Sequence, residues 1–108
     1  MEALGLVPSK VRDYVLERDQ GACRVCGRFL EHPALHHVVF RSQGGPDLPS
    51  NLISIGWGPG HMCHLTVAHG DQARYWRKIF LAIVERPELT ALQVHRRLAV
   101  RSDYPPLH

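Results

Sequence analysis

Residues 23–69 read CRVCGRFLEHPALHHVVFRSQGGPDLPSNLISIGWGPGHMCHLTVAH, and they decide the fold because they hold most of the potential metal ligands. All three cysteines and six of the eight histidines of the 108-residue chain lie in this stretch. Seven of these nine residues form a Cys-x-x-Cys pair, an adjacent His pair, a Cys-His pair and a final His. Such clustering predicts metal chemistry in the middle of the chain. In order, the residues are Cys23, Cys26, His36, His37, Cys63, His64 and His69.

The length and composition of the chain bound its class. A chain of 108 residues predicts one small domain, 1–108, whose limited core would gain from a metal. The formal charge of +3 and the pI near 9.0 fit an anionic partner such as DNA. Three cysteines suit metal binding in a reducing cytoplasm better than a secreted disulfide framework. With no apolar span and no signal-peptide pattern, we expect a cytoplasmic protein without a membrane partner.

The central stretch predicts an α+β unit with a core of about residues 22–70. Residues 35–40 are β-branched and aromatic, and residues 52–55 form a second apolar run, so both predict strands. The loop SQGGPDLPS separates them, and a helix should begin near His61 or Met62. The expected order is strand, loop, strand and helix.

Three further helices should flank this core, at about residues 9–19, 71–86 and 90–99. Ser9 and Asp71 are candidate N-caps for the first two helices. Thr90 and Gln93 have capping-box spacing for the third. The second helix should be amphipathic, with an apolar stripe at residues 76, 79, 80 and 83. The tail at residues 102–108 should be irregular.

The central residues and their order resemble the HNH endonucleases, also called ββα-metal or His-Me finger nucleases. The resemblance rests on the His pair, Asn51 fourteen residues after His37, and the Cys-His pair, and it covers about the middle half of the chain. It implies that His36 and His64 bind the catalytic divalent ion and that His37 is the general base. It also implies that Asn51 closes the loop and braces His37.

Two further residues have open roles. His69 lies five residues after His64, a spacing that a regular α-helix does not place on one face. It is therefore either a third metal ligand or a helix-end histidine. Arg41 follows the His pair where the family often has a basic residue, and it could bind a phosphate or be solvated. His32, His95 and His108 are expected to be non-catalytic.

The cysteines resemble the zinc knuckle of many HNH proteins, with one difference. Those proteins usually have a fourth cysteine where this chain has Gly56 or Gly60. Structural zinc needs four ligands, so Cys23, Cys26 and Cys63 require a partner. The candidate is His61, with His32 in reserve. A degenerate, metal-free knuckle is the alternative, whereas a redox role lacks the surrounding βαβ pattern.

The active-site metal should also differ from that of many relatives, which have Asp at the position of His36. Imidazole is a softer ligand than carboxylate and favours transition metals over Mg²⁺. The candidates at this site are Mg, Mn, Ni or Zn, with Mg²⁺ less favoured.

The resemblance therefore predicts a metal-dependent endonuclease that hydrolyses DNA phosphodiester bonds. Two alternatives remain, a non-catalytic zinc-binding module that binds nucleic acid and a ribonuclease with the same site. Small HNH proteins occur in bacteria and phages, some beside a phage terminase in DNA packaging. The expected setting is a bacterial or phage-infected cell, with DNA as partner and terminase subunits as a second candidate by analogy.

Overall fold

The computed structural model describes residues 7–57, 61 and 63–99, and in this part the protein is an α+β fold. It has three α-helices, one two-stranded antiparallel sheet and a π-helical segment between the sheet and the second helix. The expected α+β class is confirmed. The helix start at Met62, the tail and His108 lie outside the described residues. The elements are α1 (Ser9–Asp19), β1 (Ala34–His37), β2 (Leu52–Ile55), the π-helical segment (His64–Ala68), α2 (Ala73–Ile83) and α3 (Ala91–Ala99).

The two strands pair with His36 opposite Ile53 and His37 opposite Leu52. The second strand has the expected bounds, but β1 ends at His37 and not at residue 40. The reason is a side chain: Asn51 bonds the backbone N–H and C=O of Val39, which a partner strand would otherwise take. The chain then enters a 3-10 turn at Arg41–Gln43.

Two of the predicted helix caps are wrong. Ser9 is the first helical residue of α1, and Pro8 precedes it with its carbonyl accepting the Arg12 N–H at 3.0 Å. Gln72 rather than Asp71 precedes α2, and its side chain makes no capping hydrogen bond. In both helices the backbone carbonyl alone begins the hydrogen-bond pattern.

The capping box of α3 is confirmed. The Thr90 N–H donates to Gln93 Oε1 at 2.8 Å, and the Gln93 N–H donates to Thr90 Oγ1 at 3.2 Å. This reciprocal pair satisfies two N–H groups that the first helical turn leaves unpaired. The helix therefore starts at a defined residue.

The apolar stripe of α2 forms one side of the core. Its members join Val38 of the hairpin loop and the β2 side chains Ile53 and Ile55 in one buried cluster. Every residue of β2 is buried, because α1 also packs against this strand. The stripe consists of Trp76, Ile79, Phe80 and Ile83. No helix in the described part of the chain has the length and apolar character needed to cross a bilayer.

The Cys-x-x-Cys loop connects most of the elements through Arg24, a side chain only 2% exposed. Its guanidinium donates to Asp19 at the end of α1 and to the carbonyls of Ile83, Arg86 and Leu89 around the end of α2. The Arg24 carbonyl accepts the N–H of the first residue of α3 at 2.8 Å. A disturbance of this loop should therefore reach all three helices.

Candidate metal centres

Four side chains of the predicted knuckle converge on one point. The metal-binding atoms of Cys23, Cys26, His61 and Cys63 all lie within 4.8 Å of one another. Cys26 Sγ lies 3.3 Å from His61 Nε2. Ligand atoms of a tetrahedral zinc site are about 3.3–3.8 Å apart, given Zn–N near 2.0 Å and Zn–S near 2.3 Å. The cluster fits a structural zinc site with a Cys₃His ligand set, and His61, not the exposed His32, is the fourth member.

The position of Gly56 explains how a histidine can replace the fourth cysteine. A Cβ added to Gly56 would lie 2.2 Å from the His61 imidazole, so the ring fills the space that a side chain there would need. The Gly56 N–H also donates to Cys23 Sγ at 3.4 Å. The His61 ring can therefore occupy its place beside the cysteines only if residue 56 has no side chain.

The three thiols affect one another's pKa. The side-chain hydrogen bond with Cys63 lowers the pKa of Cys23 to about 4, and the same contact raises the pKa of Cys63. Burial raises the pKa of Cys26. A metal ion binds thiolates and takes over this charge compensation, so binding would release protons.

Three histidines form a second cluster. The ring nitrogens of His36, His64 and His69 lie within 4.8 Å of one another. His36 comes from β1 and is 4% exposed, whereas the other two stand at the start and just after the end of the π-helical segment. Three neutral imidazoles on one point are a suitable site for a divalent transition metal.

The π-helical segment explains why a five-residue spacing works. The His69 N–H donates to the His64 carbonyl at 3.1 Å, which is an i to i+5 bond. Residues five apart therefore lie on one face, and the Nε2 atoms of the two rings are 3.1 Å apart. The expectation of a regular helix was wrong, and His69 joins the cluster. Its role as a ligand stays a prediction.

The surroundings of His36 and His64 favour the neutral form of each imidazole. Burial first, and then the charges of the neighbouring His64 and His69, lower the pKa of His36 to about 3. Burial also lowers the pKa of His64. A histidine binds a metal through the lone pair of its neutral form, so this environment favours an ion. His64 Nδ1 is buried without a hydrogen-bond partner among the described residues.

His37 faces a different environment from its neighbour. Its Nε2 lies 2.7 Å from Asp47 Oδ1, and Arg41 Nη2 lies 2.5 Å from that same oxygen. The hydrogen bond with His37 and that with Arg41 lower the pKa of Asp47. Because a carboxylate accepts, the proton of His37 belongs on Nε2, which leaves the Nδ1 lone pair free to take a proton.

Asp47 is a residue that the sequence motifs missed. The one available signal was an acidic residue in the loop between the His pair and Asn51. Asp47 also forms a salt bridge with Arg41, so the charge that was predicted to bind a phosphate already has a partner.

Asn51 fixes the loop rather than the His37 ring. It is 4% exposed, its Oδ1 accepts the Val39 N–H at 2.8 Å, and its Nδ2 donates to the Val39 and Pro46 carbonyls at 3.1 Å. A Cβ on Gly45 would lie 1.8 Å from the Val39 carbonyl oxygen, so this close passage requires glycine. The implied bracing of His37 is therefore indirect, through the loop that carries Asp47.

One cleft is lined by the three clustered histidines together with His37 and Arg41. It has a volume of about 330 Å³ and is open to solvent on one side. A larger cavity of about 580 Å³ between α2 and α3 has no cysteine or histidine among its described lining residues. The lining of the smaller cleft is Leu35, His36, His37, Phe40, Arg41, Ser42, His64 and His69.

The other described histidines lie away from the cleft lining. His95 is 2% exposed, and its Nδ1 lies 2.7 Å from the Tyr75 hydroxyl, as expected for a core histidine. No family model matches the sequence, and no curated protein matches it.

Proposed function

We propose that this chain is a metal-dependent HNH-type endonuclease that hydrolyses DNA phosphodiester bonds. The observation that supports this most is the single cleft that contains both a three-histidine metal site and a separately held histidine. The hairpin followed by the π-helical segment would be its ββα-metal finger. A protein that only binds nucleic acid has no use for a carboxylate-held histidine beside a metal site.

The residues divide the work of hydrolysis. His36, His64 and His69 would hold one divalent ion, which when bound neutralises charge on the phosphate and the leaving oxygen. His37 Nδ1 accepts a proton from water as the water oxygen attacks phosphorus in line with the P–O3′ bond. That bond breaks, and a proton from solvent completes the products, a 5′-phosphate and a 3′-hydroxyl. Asp47 holds the His37 ring in the tautomer this requires.

The ligand set favours particular metals. Three imidazoles and no carboxylate suit Mn²⁺, Co²⁺, Ni²⁺ or Zn²⁺ better than Mg²⁺, which prefers oxygen ligands. The Cys₃His cluster would carry a second, structural zinc that takes no part in the reaction. The two sites should differ in how readily a chelator empties them.

A nicking assay tests the proposal. Protein treated with a mild chelator is incubated with supercoiled plasmid, either without metal or with Mn²⁺, Ni²⁺ or Mg²⁺. We expect nicked and linear products with the transition metals and weaker cutting with Mg²⁺. A folded single-stranded RNA is run in parallel. Cutting of RNA alone would support the ribonuclease, and cutting of neither substrate would contradict the proposal.

The variant His37→Ala identifies the base. Loss of a general base costs about 10²–10⁴ in rate, so the variant should show almost no nicking. The cluster ligands are unchanged, so metal content and melting temperature should match those of the unmodified protein. Replacement of the exposed His32 by Ala is the matched control and should leave the rate unchanged. Wild-type nicking by His37→Ala would show that another group is the base.

A further inference from the structure

Arg77 of α2 lies beside the histidine cluster. Its guanidinium carbon is 5.2 Å from the centroid of the Phe40 ring, a cation–π distance. The same ring stacks on His69, with centroids 5.0 Å apart and planes 21° apart. Arg77 and His36 also line one small cavity, and the arginine charge contributes to the lowered pKa of His36. The side chain thus stands next to the site that would hold the catalytic ion.

Arg77 differs from the ion-paired arginines of the described chain in how its charge is compensated. Arg18, Arg24, Arg41 and Arg86 each form a salt bridge with a carboxylate. Within residues 7–57, 61 and 63–99, no carboxylate lies within 4.0 Å of Arg77. Among the described residues, the neighbour of this guanidinium is therefore an aromatic ring and not a carboxylate.

The charge balance of the site calls for an anion. Neutral imidazoles leave the full double charge of a bound divalent ion uncompensated, and the cluster contains no carboxylate. A half-buried guanidinium next to that ion adds to the positive charge. Two cations close together in a partly buried site repel each other unless an anion lies between them.

We propose that Arg77 binds the scissile phosphate, sharing this phosphodiester with the ion held by the histidine cluster. This inference rests on the proposed nuclease function and names the residue that receives its substrate. Guanidinium donors match two phosphate oxygens at once, and the cation–π contact with Phe40 helps to hold the group in place. Arg41, the arginine that the sequence motif suggested for this task, is instead paired with Asp47.

Three variants separate the functions of the side chain. Arg77→Met keeps an unbranched apolar side chain at this position and removes the charge. Arg77→Lys keeps the charge and loses the planar pair of donors. Arg74→Met is the matched control, because Arg74 is exposed on the same helix and lines the cavity between α2 and α3.

Each protein is measured in two assays. The first is the plasmid nicking rate with Mn²⁺. The second is the salt dependence of binding to a short duplex without added divalent ion. We expect Arg77→Met to lose about 10² in nicking rate and to reduce the salt slope by about one phosphate contact. Arg77→Lys should keep the slope and lose most of the rate, whereas Arg74→Met should keep the rate.

The outcomes distinguish this inference from the proposed function. If the unmodified protein nicks DNA and Arg77→Met matches it in rate and slope, the phosphate contact is wrong and the nuclease stands. If the unmodified protein cuts nothing but Arg77→Met still lowers the slope, the nuclease is wrong and the contact stands. A fall in Mn²⁺ affinity or melting temperature for Arg77→Met, with an unchanged slope, would overturn the contact in favour of a packing role.

Discussion

At the scale of single residues, His36 and His37 are neighbours in β1, and their side chains therefore point to opposite sides of the strand. His36 turns into the histidine cluster, and His37 turns toward the loop, as the alternation of a strand predicts. The sequence therefore predicted that the pair divides its roles. It could not predict the Asp47 contact, because a carboxylate in a glycine- and proline-rich loop has no fixed direction until the loop is closed. Asn51 closes it through hydrogen bonds that the motif alone does not specify.

The variant Asp47→Ala should change cleavage and binding in opposite directions. Without the carboxylate, His37 loses its 2.7 Å partner, so nicking should slow by about 10-fold or more. The same change frees the Arg41 guanidinium from a salt bridge. Binding of duplex DNA should therefore tighten and become more salt-dependent by about one phosphate contact. Fluorescence anisotropy and plasmid nicking measure the two effects.

A double variant shows whether Arg41 causes the tighter binding. Asp47→Ala combined with Arg41→Ala should return the affinity to about that of the unmodified protein while nicking stays slow. If Asp47→Ala binds DNA no more tightly and nicks at full rate, the triad of His37, Arg41 and Asp47 is a surface ion pair without a role in the reaction.

At the scale of elements, the sequence predicts a helix or strand well where apolar residues recur at a regular spacing. The β2 bounds and the buried stripe of α2 follow from runs of apolar residues at strand and helix spacing. The end of β1 and the π-helical segment do not. The first depends on a side chain twelve residues away, and the second on an i to i+5 bond that no residue pattern encodes. The place of His69 could therefore be seen only in three dimensions.

His61 in the loop after β2 can lie beside the three cysteines only because residue 56 is glycine. The variant Gly56→Ala places a methyl group 2.2 Å from the His61 ring, which must then leave its position. We expect the purified variant to contain less than one zinc per chain, because three thiolates alone do not complete a tetrahedral site. Metal analysis by mass spectrometry measures the content, and the melting temperature should fall with it.

A compensating pair makes this prediction specific. Gly56→Cys combined with His61→Ala removes the ring and offers a thiolate from the same place, so zinc binding should return. The single variant His61→Ala, which has no thiolate at residue 56, should bind less than one zinc per chain. Full zinc content in Gly56→Ala would show that His61 is not the fourth ligand.

At the scale of the whole molecule, the Cys₃His cluster lies where the helices and the sheet meet. Cys23 is fully buried, and the neighbouring Arg24 bonds α1 and the carbonyls after α2. A domain of this size buries a small core, so a metal that fixes this loop should stabilise the entire fold.

The variant Cys23→Ser should therefore be less stable than any single active-site variant. A loss of about 2 kcal/mol lowers the melting temperature of a domain this small by about 8–16 °C. Scanning calorimetry of Cys23→Ser and His64→Ala compares the two sites, with zinc content measured on each sample. His64→Ala should lose Mn²⁺-dependent nicking and keep its zinc. Equal melting temperatures for both variants would contradict a structural zinc.

The overall charge of the chain determines how it should meet DNA. Its net charge is +3, Arg41 lines the cleft, and Arg77 contacts the ring of Phe40, which also lines it. Arginine guanidinium groups bind phosphate oxygens well. Phosphate contacts position a protein on a duplex without reading its bases.

We expect similar affinities for two unrelated duplexes and a salt slope equivalent to about two to four phosphates. Affinity should then fall by about 10- to 100-fold between 50 and 200 mM salt. Anisotropy titrations on both duplexes test this expectation, with Arg74→Met as a control for charge outside the cleft. One duplex bound far more tightly than the other at every salt concentration would show that the protein reads bases, and the arginines at the cleft would then explain only part of its binding.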